Sequence, residues 1–125
     1  MTQPVSFKIA KLLKEKGFDQ KATDVGYKLN GDKCFDYAID RINRNGIAAP
    51  TIAEVVMWIY ENHGIWITVT SKSQESWQCH MTKKGDFLGN CYLEDFYTPT
   101  EAYKAGIEYT LNNLIQNNDS NRNTR

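Results

Sequence analysis

Residues 77–91 read WQCHMTKKGDFLGNC, and how this stretch pairs with itself decides what kind of sheet the chain can build. Side chains alternate along a strand, so a slip of one residue exchanges the two faces. Trp77, Cys79 and Met81 share one side of the first half, and Phe87, Gly89, Cys91 and Leu93 share one side of the second. Bringing both apolar sets to one face requires odd residues opposite odd ones. A two-residue turn at Lys84-Gly85 sets odd against even and leaves Phe87 and Cys91 facing Thr82 and Gln78. A three-residue loop, Lys83-Lys84-Gly85, restores the match and places Gly85 where such loops need a left-handed residue for their bulge. The expected register therefore pairs Met81 with Phe87, Cys79 with Gly89 and Trp77 with Cys91.

This parity separates the thiols from the histidine. Cys79 and Cys91 turn inward as small core hydrophobes, whereas His80 points the other way, among Gln78, Leu88 and Asn90. A zinc ion needs its ligands to converge at about 2.0–2.3 Å, which these residues cannot do together. Cys34 can approach the other cysteines, but three thiols without a fourth ligand or a C-x-x-C knuckle make a weak metal pattern. A catalytic cysteine needs exposure and an activating base, and inward-facing thiols lack the first. No metal, no cofactor and no catalytic set is expected.

Just upstream, IWITVTS (65–71) alternates as a strand, with Ile65, Ile67 and Val69 on one side and Trp66, Thr68 and Thr70 on the other. Three segments carry helical signals. VSFKIAKLLKEKGFD has Ser6 as N-cap, and Gly17 at C′ followed by Phe18 at C″. APTIAEVVMWIYENHG opens on Thr51 and Glu54, a capping box, and closes at Gly64. At about 100° per residue, Ile52, Val55, Val56, Ile59 and His63 share one face, while Met57 and Trp58 fall on the back and flank. YTPTEAYKAGIEYTLNNLI takes Thr98 as N-cap, Pro99 at N1 and Glu101 at N3, with Tyr103, Ile107, Leu111, Leu114 and Ile115 as its core stripe.

Between the first two helices, Val25, Tyr27 and Leu29 alternate and Asn30-Gly31 signals a hairpin with strands on both sides. Phe35, Ala38, Ile39 and Ile42, with Asp32 as cap, also fit a helix over residues 33–44. NRNGIAAP (43–50) is expected as loop. The fold class that follows is α+β: a single antiparallel sheet of four to five strands with three helices mainly on one face. Residues 1–117 form one domain, and 118–125 form a polar tail expected to be disordered.

Composition narrows the function classes. The chain has 125 residues, 41% of them hydrophobic and 12% aromatic, enough for one core without metal or disulfide staples. Fifteen Lys and Arg balance fifteen Asp and Glu, so the net charge disfavours a nucleic-acid partner held by its phosphates. The start, MTQPVSFKIAKLL, does not read as a signal peptide, and no apolar run is long enough for a membrane span; a cytoplasmic location with reduced thiols is expected. No phosphate-loop, dinucleotide, nucleophile-elbow or zinc-protease motif occurs. Glu61 with His63 makes a thinkable carboxylate–histidine pair, but a histidine at a helix C-terminus commonly interacts with its carbonyls and dipole. Glu94 and Asp95 are adjacent and point apart.

What remains is a surface. If the helices cover the side of Ile65, Ile67, Val69, Trp77 and Leu93, the opposite side presents Trp66, Gln78, His80, Leu88, Asn90 and Tyr92. Aromatics interleaved with amides suit a binding platform for a peptide, a base or a sugar. Trp66, Gln78, His80, Asn90 and Tyr92 are the candidate binding residues. Met57 and Trp58 form a second patch, suited to an interaction or a homodimer contact.

Three blocks taken together, VSFKIAKLLKEKGFD, APTIAEVVMWIYENHGIWITV and YTPTEAYKAGIEYTLNNLI, resemble a family of small uncharacterised proteins from Bacteroides-type gut bacteria and their phages or prophages. The resemblance spans most of residues 5–116, with a variable section between about 20 and 48. It implies a phage-type accessory protein in a bacterial host and supplies no catalytic or binding residue. The expectation is a non-catalytic binding module with a protein or small-ligand partner. The alternatives are a small thiol- or metal-dependent enzyme and a single-stranded nucleic-acid binder using the open sheet face.

Overall fold

The computed structural model describes residues 3–20, 26–28, 33–34, 46–83 and 91–115. Helix α1 (Phe7–Glu15) begins where the Ser6 hydroxyl accepts the Ile9 N–H. It ends as expected: Gly17 has φ 94°, and the Phe18 N–H donates to the Leu13 carbonyl at 2.9 Å. Helix α2 (Ile52–His63) carries the full capping box, with Thr51 Oγ1 accepting from Glu54 and Glu54 accepting from the Thr51 N–H. Gly64 (φ 70°) then takes the left-handed conformation that a side chain would resist, and the chain enters a strand at the next residue. Helix α3 (Pro99–Tyr109) starts from Thr98, whose hydroxyl accepts from Glu101.

The strands form two antiparallel sheets, not the single sheet expected. In the first, β1 (Gly26–Lys28) lies between β2 (Lys33–Cys34) and β3 (Gly46–Ala48). The β1–β2 pair flanks Asn30-Gly31, so the hairpin is present. The helical alternative beyond Cys34 lies outside the described residues. Strand β3 overturns the reading of 43–50 as loop over its second half: residues 46–50 are all buried. A short, wholly buried strand shows no alternation, and small residues such as Ala48 and Ala49 hide it further. The Ala48 N–H also donates to Gln20 Oε1 at 2.8 Å.

The second sheet holds β4 (Ile65–Ser73), β5 (Ser76–Lys83) and β6 (Cys91–Phe96) in that order. From Cys79 to Met81 odd residues do face odd ones across β5 and β6, with the register shifted by four, whereas Trp77 falls opposite an even residue. Met81 pairs with Cys91, His80 with Tyr92, Cys79 with Leu93 and Trp77 with Phe96. Parity decides only which face a residue occupies, so a shift of four satisfies it equally well. The expected loop Lys83-Lys84-Gly85 is overturned at its first residue, since Lys83 belongs to β5 and pairs with Ile65; Lys84, Gly85 and Phe87 to Asn90 lie outside the described residues. Near Trp77 the ladder slips at a bulge, where Glu94 and Asp95 together oppose Gln78 and Asp95 adopts φ 74°.

Helix placement is also corrected. Only α3 lies across β4, β5 and β6; α1 packs on β3 and on the end of the last helix. One buried cluster nevertheless joins all three helices and both sheets, from Val5 through Ile59 and Met81 to Ile115. Gly106 is where α3 comes closest to the sheet, since a Cβ there would overlap Cys79 Sγ and crowd Ile67 and Met81. Beyond Tyr109 the helix widens into a π turn over Thr110–Leu114, closed by the Ile115 N–H on the Thr110 carbonyl at 3.1 Å. The widened turn carries Leu114 out to 40% exposure, against its expected core position, and buries Thr110 instead. Thr110 Oγ1 has no hydrogen-bond partner among the described residues. The proposed polar tail lies outside those residues.

Candidate functional site

The β4–β5–β6 sheet has two unlike faces. Ile65, Ile67, Cys79 and Met81 are buried under α3, whereas Trp66 and Tyr92 on the other side are 41% and 56% exposed. Across that outer face Thr68, His80 and Tyr92 form one row. The His80 and Tyr92 rings stack with centroids 5.7 Å apart, and Gln78 Nε2 donates to Thr70 Oγ1 at 3.3 Å. Four of the five expected binding residues, Trp66, Gln78, His80 and Tyr92, therefore lie on one surface; Asn90 lies outside the described residues.

Met57 and Trp58 part company. Trp58 is half-buried, its ring edge-on to Phe18 at 5.4 Å and to His63 at 5.0 Å, so it belongs to the junction of α1 with α2. Met57 is 44% exposed and joins Tyr60 and Trp66 instead, lining a cleft of about 480 Å³. Tyr60 and Trp66 meet edge to face at 5.2 Å. Sequence reasoning misses Tyr60. The available signal was its position one helical turn after Met57 and just before the Gly64 reversal, which turns β4 back against the helix.

Burial and neighbouring groups shift several of the titratable side chains singled out. Burial, with a smaller contribution from Cys91, pushes the Cys79 thiol up to about 11, so it stays protonated and hidden. Cys91 is half-buried, and its hydrogen bond raises the Tyr109 phenol. Burial, and then the nearby Lys16 charge, lowers His63 below its ordinary value of 6.5. Glu61 is exposed, and Glu94 is paired with Lys72 at 2.5 Å, which raises the lysine. Among the described residues no three His, Cys, Asp or Glu side chains are grouped to hold a metal ion, and no helix is long and apolar enough to cross a membrane. A second groove, about 330 Å³, runs between α3 and β6 past Leu93, Glu108 and Tyr109.

No protein family, curated protein or solved structure matches the chain.

Proposed function

We propose that the protein is a non-catalytic binding module, a phage- or prophage-type accessory protein. It captures a protein or small ligand in the cytoplasm of a bacterial host. The capturing surface is the Met57–Tyr60–Trp66 cleft together with the adjoining outer sheet face bearing His80 and Tyr92. The observation that carries this reading is the convergence of Met57, Tyr60 and Trp66, each more than two-fifths exposed, on one cleft. Scattered single hydrophobes are ordinary on a surface, but a concave group of three large ones is what ligand and partner sites look like. A thiol-dependent reaction finds less support, because Cys79 is buried and protonated.

The reading is tested by affinity capture from the native host with tagged wild type and the double variant Trp66→Ala/Tyr92→Ala, followed by mass spectrometry. The variant should lose the captured partner while its Tm changes by less than about 4 °C, the shift expected from at most about 1 kcal/mol. A collapse in Tm would mean that these rings are core, and the proposal would fail.

A further inference from the structure

We infer that the Met57–Tyr60–Trp66 cleft takes a large apolar side chain presented on a basic peptide segment of a partner protein. This rests on the binding reading above and names its partner chemistry. The walls of the cleft are apolar and aromatic, so its floor selects an aliphatic or aromatic group. Beyond Met57 the helix carries charge. Glu54 and Glu61 are both exposed on α2, seven residues apart, about 10 Å along the helix axis. At about 100° per residue both carboxylates fall on the flank of Met57 away from Tyr60, while Tyr60 leans against Trp66 on the other flank.

Among the described residues, four lysines are engaged or turned elsewhere. Helix α2 contains no Lys or Arg. Lys72 is paired with Glu94, and Lys8 with Glu108. Lys16 lies near His63 and donates to the Ile115 carbonyl, on the Trp58 side of the helix. Lys83, the nearest by register, pairs with Ile65 and so has the parity of the inner face. An apolar cleft with two carboxylates beside Met57 on the same helix complements a segment carrying one large apolar residue and two Lys or Arg at a comparable spacing. The Glu54 carboxylate also closes the capping box.

A random twelve-residue peptide display library, selected against the immobilised full chain, tests both layers of the idea. Selected peptides should combine a large apolar residue with Lys or Arg and lose at least tenfold in affinity on Trp66→Ala. The double variant Glu54→Gln/Glu61→Gln keeps a capping side chain at position 54. It should weaken binding about three- to tenfold at about 50 mM salt, and much less at about 0.5 M. Cleft-dependent peptides without a basic bias would overturn the basic partner and leave the binding reading standing. Peptides that bind Trp66→Ala as well as wild type, or no selected peptide at all, would overturn both. Trp66-dependent self-association in sedimentation, with no basic peptide bound, would assign the cleft to a second copy of this chain and overturn the inference.

Discussion

The two faces of the β4–β5–β6 sheet are made by alternate residues of the same strands, yet they are built to different ends. Under α3, Ile67 and Met81 are almost wholly buried, and Gly106 leaves no room for a methyl group above Cys79. On the other side Trp66 and Tyr92 stand in solvent and are steadied mainly by ring contacts, to Tyr60 and His80 respectively. The inner face carries most of the burial in this sheet, while large aromatic side chains on the other stay partly exposed. The widest test of this contrast is a pair of neighbours. Ile67→Ala should cost about 2–5 kcal/mol, the range for truncating a buried branched side chain. Trp66→Ala should cost less than about 1 kcal/mol. Denaturant melts of the two variants check this, and equal losses would erase the distinction between the faces.

A second test sharpens the picture of the inner face. Gly106→Ala should destabilise by about 1–2 kcal/mol net, because overpacking outweighs the helix propensity gained. Adding Cys79→Ala removes the overlapping Sγ, so the double-mutant cycle should show a favourable coupling of at least about 0.5 kcal/mol. Strict additivity would mean that α3 is not held at that close approach. At the far end of the sheet, Asp95 sits at positive φ in the bulge, a conformation that a β-branched residue resists. Asp95→Val should therefore cost about 1–2 kcal/mol by thermal melting, although the side chain is exposed.

The smallest expected effect concerns pH. His63 titrates below its ordinary value of 6.5 because it is partly buried and faces Lys16. The unfolded chain therefore binds a proton at a higher pH than the folded one does. Stability is full above the unfolded value and falls as pH drops from there through the folded value. Melts across this range should show a slope that His63→Gln reduces; an unchanged slope would assign it to other groups.

Local signals in the sequence proved readable, and long-range ones did not. Ser6, Thr51 and Thr98 mark the helix starts because capping is a contact between residues three apart. Apolar parity separated Cys79 from His80 because alternation is a property of a single strand. Parity is blind to a shift by an even number, however, and the β5–β6 register escaped by four residues. Strand β3 escaped because Gly46, Ile47 and Ala48 are all buried and show no pattern. Trp58 was grouped with Met57 since its partner, Phe18, is forty residues away in the chain. The cleft was half visible: Met57 and Trp66 were singled out on separate surfaces, and Tyr60 joins them.

Gly64 has a consequence for how the cleft is inherited and moved. Its single left-handed residue sends the chain from helix to strand with no linker, so the described lining residues, Met57 with Tyr60 and then Trp66, all come from residues 57–66. A site of this kind is encoded in one short stretch of gene. It can diversify by point changes at Met57, Tyr60 and Trp66 without disturbing the buried face that α3 protects.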